Sequence, residues 1–470
     1  MMVRVRFAPS PTGVPHIGNT RTALYNYVFA QKNQGQFVLR IEDTDRARLQ
    51  PDSLPKILAI LKAVGIAWDE GPFAQSERLK IYQDHAEKLV KSGKAYYCFC
   101  TQERLSAMRK AQQKRGALPR YDRRCLKLTR AQVKTQLAKR TPHVIRLKVP
   151  DTGETSWVDL IQGKISFKNN QIDDQVLLKS DQFPTYHLGV VVDDHLMKVS
   201  HILRGVEWIS STPKHLLLYQ AFGWPVPKIG HFPVILGPDH AKLSKRHGAK
   251  SVLDYLDEGY LVEPLITFMA YLGWSHNDNS ELLNLKKLVK LFDLKKVQKQ
   301  NPIFDLKKLN YFNAKYIRQL SNQELFALVK PRLKFKLADA KLTSILPLVR
   351  DRLVTLNDIN LFLDYFAGDI KAPLDLIVAQ SGKDRAAVKT ALGQTVSAFA
   401  KNSAADWQEK NLEKIGHDLI ELTGWTTKEL FMTLRVSLTG KVATPPLFAL
   451  MEVLGPEVVS RRLQAAHEAL

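Results

Sequence analysis

The stretch RFAPSPTGVPHIGNTRTALYNYVFA, residues 6–30, decides the fold of this chain. The residues that lead into it, 3–7, alternate in polarity as a β-strand does, and apolar residues then recur at helical spacing over 17–31. A second apolar run at 37–41 is typical of another strand. The order strand, loop, helix, strand predicts the first unit of a parallel α/β sheet.

The loop between the first strand and the helix has an unusual composition. It contains three prolines and two glycines between residues 9 and 18, and His16 stands at the helix entrance. Prolines stiffen a loop, glycines let another molecule approach its backbone, and the free N–H groups at a helix start attract phosphate. Because such loops lie at the carboxyl edge of a parallel sheet, the pattern predicts a phosphate-binding site. A proline-rich surface loop with a capping histidine is the alternative interpretation.

Chain length and net charge narrow the possible classes of protein. A chain of 470 residues is too long to fold around one hydrophobic core. Its length predicts about two to four domains. Its 69 Lys and Arg against 46 Asp and Glu leave a net charge of +23. So large a surplus favours a polyanionic partner, with nucleic acid as the first candidate.

Cysteine content and the first residues indicate the compartment. Three cysteines are too few for a disulfide framework and fit a reducing environment. The start MMVRVRFAPS lacks the charged-then-apolar pattern of a signal peptide, and the longest apolar run, residues 264–274, is far shorter than a membrane span. We therefore expect a cytoplasmic protein without a membrane partner.

A second candidate phosphate site lies far downstream, in AKLSKRHGAKS at residues 241–251. Lys242 and Lys245 flank Ser244 and can hold a polyphosphate from one side. Alone, the segment is equally typical of a basic surface turn. Together, PHIG after a first strand and KLSKR more than 200 residues later resemble the HIGH and KMSKS motifs of class I aminoacyl-tRNA synthetases.

Further motifs narrow this resemblance. They are RFAPSPTG, TRTALYN, LRIEDTD, WDEGP, PTYHL, VVDDHLM, HILRG, KLSKRHG and DEGYLVEPL. Across about residues 1–275, and again in TGKVATPPLFALMEVLG at 439–455, the chain resembles bacterial-type glutamyl-tRNA synthetases. The resemblance implies an α/β, class I Rossmann-type catalytic domain with an α+β acceptor-binding insertion. A mostly helical C-terminal half for stem contact and anticodon binding follows.

The same resemblance divides the chain into domains. We expect the catalytic nucleotide-binding fold in two parts, 1–97 and 181–237, an acceptor-binding insertion at 98–180, the KLSKR loop with a helical stem-contact region at 238–334, and a helical anticodon-binding domain at 335–470. Alternation in HVIRLKV and SWVDLI predicts strands in the insertion. Residues 281–336 carry 14 Lys or Arg against four Asp or Glu, a balance that suits packing along a tRNA stem.

The resemblance implies a two-step reaction. Glutamate attacks the α-phosphate of ATP, giving glutamyl-adenylate and pyrophosphate, and the 3′-terminal ribose of tRNA(Glu) then takes the glutamyl group. Mg²⁺ enters with ATP, held mostly by phosphates and water. Such an enzyme positions its reactants and stabilises phosphate charge, so it needs no protein nucleophile.

By the family pattern, the site residues fall into three groups. The catalytic residues are His16, Lys242 and Lys245. The ATP-binding residues are Pro9, Ser10, Thr12, Gly13, His16, Gly18, Glu207, Lys242, Ser244 and Lys245. The glutamate-binding residues are Arg6, Ala8, Ser10, Glu42, Tyr186 and Arg204. Arginine forks suit the carboxylates of glutamate and a carboxylate suits its ammonium group, whereas surface salt bridges and a polar turn are the alternative interpretation.

Two positions depart from the family pattern. Val190 stands four residues after Tyr186, where relatives carry an asparagine, and this predicts the loss of one amide contact to the substrate. Val206 stands where an acidic residue is common, while Glu207 remains as a contact to ATP or the tRNA end. Altered amino-acid selectivity stays open, and so does the alternative of a catalytically impaired tRNA-binding homologue.

The cysteines form a cluster in the sequence, because Cys98, Cys100 and Cys125 lie within 28 residues. Such a cluster is typical of structural zinc, which takes four ligands. Some relatives bind zinc here with a histidine two residues after the last cysteine, but this chain has Lys127 there. Tyr121 is then the candidate fourth ligand, and three reduced thiols left from a lost site are the alternative.

Related enzymes differ from this chain in length or in their C-terminal half. Glutaminyl-tRNA synthetases end in β-barrels, short paralogues that glutamylate a base in tRNA lack an anticodon domain, and small-molecule nucleotidyltransferases have no use for a long basic helical region. The resemblance further implies a monomer that activates glutamate only when tRNA is bound. Charging of tRNA(Gln) besides tRNA(Glu) stays open.

Overall fold

The computed structural model of the chain describes residues 2–117, 119–244, 246, 250–276, 282–368 and 370–470. The chain folds into two compact units. The first comprises Met1–Tyr255 and Val262–Leu306, and the second comprises Leu256–Leu261 and Lys307–Leu470. The division falls inside the predicted segment 238–334. The four boundaries between the five predicted segments are finer than this division and stay predictions.

Strands and helices are numbered in chain order within the described residues. The strands are β1 (Arg4–Phe7), β2 (Gln36–Ile41), β3 (Glu70–Ala74), β4 (Ala95–Cys98), β5 (Val144–Leu147), β6 (Glu154–Asp159), β7 (Gly163–Lys168), β8 (Val176–Leu178), β9 (His201–Gly205) and β10 (Lys228–Phe232). The helices up to residue 291 are α1 (Ile17–Lys32), α2 (Ser53–Ala63), α3 (Leu79–Lys91), α4 (Gln102–Lys114), α5 (Arg130–Ala138), α6 (Tyr186–Leu196), α7 (Thr212–Phe222), α8 (Val252–Asp257), α9 (Val262–Tyr271) and α10 (Leu285–Leu291). Those from residue 306 onward are α11 (Leu306–Gln319), α12 (Asn322–Val329), α13 (Asp339–Val349), α14 (Ile359–Leu363), α15 (Leu374–Ser381), α16 (Arg385–Ala400), α17 (Glu409–Thr423), α18 (Thr427–Thr439), α19 (Leu447–Leu454) and α20 (Pro456–Ala469).

Parallel strands form the centre of the first unit. β1 pairs with β2 and β2 with β3, while β9 and β10 form a second parallel pair. The amide of Ser200, just before β9, donates to the Arg4 carbonyl of β1 over 2.9 Å, which places β9 beside β1. The chain leaves β1 toward β2 on one side and later returns as β9 on the other, so the switch point of the fold lies beside β1. The predicted Rossmann-type α/β fold is confirmed.

Helix α1 packs on these strands through a mostly apolar buried side, and most of its buried polar atoms have hydrogen-bond partners. Arg21 donates to the backbone carbonyls of Pro233 and Leu272. The Tyr25 hydroxyl lies within 3.0 Å of the carbonyls of Ala270 and Leu272 and donates to one of them. Buried polar groups need such partners. The TRTALYN motif therefore serves packing and fixes α1 firmly under the first loop.

An antiparallel arrangement interrupts the parallel strands. β4, β5 and β8 form one antiparallel sheet, and β6 and β7 form a hairpin. Thr101 and Thr129 cap α4 and α5, where their hydroxyls accept the amides of Arg104 and Gln132. The strands predicted in HVIRLKV and SWVDLI are confirmed as β5 and β6, and the α+β character of the insertion is confirmed with them.

The second unit is helical, as predicted. Its fully buried core includes Leu325, Leu342, Ile345, Leu392, Leu412, Leu434 and Leu463. Ser321 and Thr426 form capping boxes with Glu324 and Glu429 at the starts of α12 and α18, and a cap of this kind is worth about 1 kcal/mol. Among the helices of the described ranges, none has the length and apolar content that a membrane crossing requires.

Candidate active site

An open cavity of about 740 Å³ lies at the carboxyl ends of β1, β2 and β9, beside the switch point of the fold. The loop after β1 forms one wall, and residues at the ends of β2 and β9 form others. The predicted site residues on its wall are Arg6, Ala8, Pro9, Ser10, Thr12, Gly13, Glu42, Tyr186, Arg204 and Glu207. The structure thus brings together all of the predicted glutamate-binding residues.

Backbone hydrogen bonds hold the first loop in place. The Glu42 amide at the end of β2 donates to the Pro9 carbonyl over 3.0 Å, and the Gln50 amide donates to the Pro11 carbonyl over 2.9 Å. Prolines lose little conformational entropy when such a loop is ordered. The loop is therefore tied to the neighbouring strand and presents small residues to the cavity.

His16 caps helix α1 next to this loop. Its ring Nδ1 accepts the Gly18 amide over 3.0 Å, so the proton of the neutral ring is on Nε2, where it can be donated to a phosphate oxygen. Burial and the positive charges of Lys242 and Arg21 lower the pKa of His16 below its ordinary value, which keeps the ring neutral at pH 7. A Cβ at Gly18 would lie 2.8 Å from His16 Cε1, so a larger residue there would displace the His16 ring.

The KLSKR segment returns to the start of α1. The Ile17 amide donates to the Lys250 carbonyl over 3.0 Å, and Lys242 pairs with Leu236 in an isolated bridge after β10. Lys242 is exposed, and its charge acts on the capping histidine. The predicted ATP-binding residues that are not on the cavity wall are His16, Gly18, Lys242 and Ser244. Lys245 lies outside the described residues.

A buried ion network underlies the amino-acid side of the cavity. Asp194 accepts from Arg6 Nε over 3.0 Å and from Arg40 Nη1 over 2.7 Å. Arg40 Nη2 donates to Glu42 Oε1 over 3.1 Å. Sequence reasoning missed Arg40 and Asp194 as site residues, although a charged side chain inside the apolar strand FVLRI was a usable signal.

Asp193 extends this network on its far side. It accepts from Arg78 Nε over 3.0 Å, from Gln75 Nε2 over 2.9 Å and from the Tyr82 hydroxyl over 2.7 Å. The network then holds three arginines and three carboxylates, so its charges cancel. It fixes the positions of the side chains at the ends of β1 and β2 without adding a net charge.

Arg204 has a different environment, because its partners are neutral. Its Nη1 donates to the Tyr186 hydroxyl over 3.0 Å, its Nη2 to Thr212 Oγ1 over 2.9 Å and its Nε to His231 Nε2 over 3.2 Å. It is 6% exposed, and no Asp or Glu pairs with it in the part of the chain that the structure describes. A buried cation without a counter-ion costs several kcal/mol. The Arg204 guanidinium can therefore take an anion that enters the cavity as its direct counter-ion.

Tyr186 closes the pocket beside this arginine. Its ring centroid lies 4.3 Å from that of Trp208, and burial raises the pKa of its hydroxyl to about 12, so the hydroxyl stays protonated. Val190, one helical turn later, is 1% exposed in an apolar core and is not on the cavity wall. The effect of Val190 on substrate contact stays a prediction.

The cysteines converge in the insertion. The Sγ atoms of Cys98, Cys100 and Cys125 all lie within 4.8 Å of one another. The Tyr121 hydroxyl lies 3.3 Å from Cys100 Sγ, while Lys127 is exposed. The four candidate ligands are therefore brought together, and the set is compatible with a zinc ion.

Comparison with known proteins agrees with this geometry. A family model described as tRNA synthetases class I (E and Q), catalytic domain, matches residues 2–311, and one described as anticodon binding domain matches residues 324–467. A glutamate–tRNA ligase of Dehalococcoides mccartyi is 43% identical over 99% of this chain and 97% of its own. One of Borreliella burgdorferi is 39% identical over 100% and 99%. A crystal structure of a glutamate tRNA ligase from Elizabethkingia meningosepticum in complex with its amino acid is 35% identical, covers 100% of both chains and gives a TM-score of 0.91.

The similarity extends over the catalytic α/β part and the helical part alike. These relatives carry the name of a ligase, and the similarities give no support to the alternative of a catalytically impaired homologue. The chain therefore belongs to the glutamate–tRNA ligase family, which are enzymes of the class I aminoacyl-tRNA synthetases.

Proposed function

We propose that the cavity activates L-glutamate with ATP and that the chain transfers the glutamyl group to the 3′ end of tRNA(Glu). First, a carboxylate oxygen of glutamate attacks the α-phosphorus, the bond to the β-phosphate oxygen breaks, and pyrophosphate leaves. Second, a ribose hydroxyl of the terminal nucleotide attacks the acyl carbon and loses its proton, and AMP leaves. The side chains act by position and charge in both steps.

The observation that carries this proposal is the buried Arg204 guanidinium, which has only neutral direct partners. The ion network of Arg6, Arg40 and Arg78 has its own carboxylates, whereas no carboxylate contacts the Arg204 guanidinium directly in the described residues, so a carboxylate of glutamate can become its direct counter-ion. A substrate carboxylate can accept two hydrogen bonds from a guanidinium. Glutamine in the same place would leave Arg204 without a counter-ion, which disfavours it by several kcal/mol.

Arg6 and Glu42 suit the backbone end of glutamate. Within the described residues the Arg6 guanidinium donates only through Nε, to Asp194, and the side chain lines the cavity. Its Nη groups suit the α-carboxylate. The Glu42 carboxylate uses Oε1 for Arg40, and its second oxygen suits the ammonium group. Ser10 and Ala8 form the adjoining wall without bulk.

We place the triphosphate of ATP along the first loop and the start of α1. The Nε2–H of His16 suits a phosphate oxygen, and Lys242 adds positive charge beside it. Lys245 joins them by the family pattern. Mg²⁺ accompanies ATP, and Glu207, which lines the cavity and has no ion pair within the described ranges, suits water in the metal's shell.

Aminoacylation with labelled amino acids tests this function. We expect the purified chain to charge a tRNA(Glu) transcript with glutamate and not with glutamine, because glutamine lacks the charge that Arg204 requires. Glutamine on the same transcript is the matched control. Transfer of glutamate to a tRNA(Gln) transcript as well would identify a dual-specificity enzyme. Tight binding of both transcripts without charging of either would overturn the proposal.

The net charge of the chain and its family suggest its macromolecular partner, its oligomeric state and its compartment. The net charge of +23 suits a tRNA, and the basic stretch 281–336 suits its stem. We propose tRNA(Glu) as the partner, with tRNA(Gln) decided by the assay above, and a monomer that works in the cytoplasm. Elution of the purified chain at the size of a dimer would contradict the monomer.

We also propose that the cysteine cluster holds a structural zinc ion. Zinc with bonds of about 2.3 Å to thiolates separates tetrahedral sulfurs by about 3.8 Å, and Cys100 and Cys125 Sγ lie 3.5 Å apart. Hydrogen bonds from Cys125 and Tyr121 lower the pKa of the Cys98 thiol, which favours its thiolate. The hydrogen bond to Cys98 raises the pKa of the Cys125 thiol, and burial raises that of the Tyr121 hydroxyl, so a zinc ion would have to displace the protons of these two groups. The Arg146 guanidinium lies 4.3 Å from the Tyr121 ring centroid and offsets the negative charge. The ion would join β4 to the segment that contains Cys125.

Metal analysis checks this site. We expect about one zinc per chain by mass spectrometry, little in Cys100→Ser, and reduced retention in Tyr121→Phe. Met108→Leu is the matched control, because Met108 packs on the same cluster and offers no strong ligand. Folded wild-type protein without zinc would contradict the site, and full retention in Tyr121→Phe would assign the fourth position to another group.

A further inference from the structure

The tip of the insertion's hairpin reaches the strand beside Arg204. Between β6 and β7, the Leu160 amide donates to the Ile229 carbonyl over 2.8 Å, and Gln162 Nε2 donates to the His231 carbonyl over 3.0 Å. Asp159, the last residue of β6, is thereby carried into the catalytic fold, where it is 2% exposed. No motif in the sequence points to this residue, and the proposed reaction does not use it.

The Asp159 carboxylate is surrounded by hydrogen-bond donors. Its Oδ1 accepts the amides of Ile161 and Gln162 over 3.0 Å each and that of His231 over 3.1 Å. Its Oδ2 lies 2.5 Å from His231 Nδ1. Burial acts to raise the pKa of Asp159, but the hydrogen bonds from His231, Gln162 and Ile161 lower it to about 2. The carboxylate is therefore ionised and accepts only.

The His231 ring connects this carboxylate to Arg204. The two residues are register partners on β10 and β9, and His231 Nε2 lies 3.2 Å from Arg204 Nε. The Nε of a guanidinium always carries a hydrogen, so His231 Nε2 must accept. The proton of the neutral ring is then on Nδ1, facing Asp159. Asp159 thereby selects the one tautomer that Arg204 can use.

We propose that Asp159 is a positioning residue for glutamate that acts through the His231 ring on the Arg204 guanidinium. The proposal rests on the proposed role of Arg204 as the carboxylate site. His231 fixes the Nε edge of the guanidinium, and the Tyr186 hydroxyl fixes Nη1, so its plane has one orientation toward the cavity. Two hydrogen bonds thus connect the insertion to the amino-acid pocket.

The isosteric variant Asp159→Asn tests this connection. The three backbone amides hold the new Oδ1 where the carboxylate Oδ1 was, so the new Nδ2 faces His231 Nδ1. The ring must then carry its proton on Nε2, and two donors meet between His231 and Arg204. We expect the KM for glutamate in tRNA charging to rise about 10- to 100-fold, with the KM for ATP and for tRNA unchanged.

A second variant breaks the same connection at its other end. In His231→Asn the amide nitrogen can still donate to Asp159, but the shorter side chain has no acceptor where His231 Nε2 accepts from Arg204. We therefore expect a similar rise in the KM for glutamate. The double variant should show no greater rise than either single variant, because both remove one interaction. Asp174→Asn is the matched control: this buried carboxylate of the insertion bonds to Tyr96 and Arg123. There the KM for glutamate should not change.

Several outcomes would overturn the proposal. An unchanged KM for glutamate in either folded single variant would overturn it. A KM in the double variant that rises by the product of the two single increases would overturn it as well, because the two residues would then act independently. If Asp159→Asn does not fold, His231→Asn carries the test alone. Arg204→Gln separates the two proposals: no effect there removes the proposed carboxylate site, whereas a large effect there with none in Asp159→Asn removes only the connection from Asp159.

Discussion

Replacing Arg204 by glutamine is expected to lower kcat/KM for glutamate about 30- to 5,000-fold, the equivalent of about 2–5 kcal/mol for one partner of a buried charge pair. The loss should appear mainly in the KM for glutamate, because the guanidinium binds a carboxylate that does not react. The KM for ATP should not change. Steady-state charging of tRNA(Glu) at varied glutamate and ATP measures both constants.

Two further arginine variants separate charge from shape and from general damage. Arg204→Lys keeps the charge but lacks the two-pronged geometry, so its kcat/KM should lie between those of the wild type and Arg204→Gln. Arg4→Gln is the matched control, since Arg4 stands on the neighbouring strand β1, pairs with Glu70 and is outside the cavity wall. An unchanged KM for glutamate in folded Arg204→Gln would place the substrate carboxylate elsewhere.

Most of the fold could be predicted because its determinants are local. The strand at 3–7, the helix at 17–31 and the strand at 37–41 agree with β1, α1 and β2 to within one residue at each end. Alternation and helical spacing act over a few residues, and so does a capping side chain. The loop between β1 and α1 could be recognised as well, because its prolines and glycines are also a local pattern.

The site could be predicted only where its chemistry stands in short motifs. Arg6, Glu42 and Arg204 each lie at or directly after a strand end, where a parallel sheet binds ligands. The pairing of Arg40 with Asp194 joins residues 154 apart, and that of Asp159 with His231 joins residues 72 apart. No local pattern states which carboxylate meets which cation, so these contacts required the folded chain. The neutral surroundings of Arg204 are likewise a property of packing.

Removing the His16 side chain is expected to lower the rate of tRNA charging about 100- to 1,000-fold, the usual cost of one donor that stabilises a transition state. The donor is Nε2–H, because Nδ1 already accepts the Gly18 amide. Since His16 does not touch the amino-acid pocket, the KM for glutamate should be unchanged in His16→Ala. ATP–pyrophosphate exchange in the presence of tRNA isolates the first step and should fall by a similar factor.

His16 has a structural role as well, and a second variant separates the two. Asparagine at this position can accept the Gly18 amide as a helix cap but has no donor where Nε2 was. His16→Ala should therefore lose about 1 kcal/mol of stability and His16→Asn almost none, while both lose the same activity. Thermal unfolding and exchange rates measured on the same preparations compare the two effects. If His16→Asn exchanges pyrophosphate as fast as the wild type, the side chain caps the helix and nothing more, and the phosphate charge must be met by the lysines of the KLSKR segment.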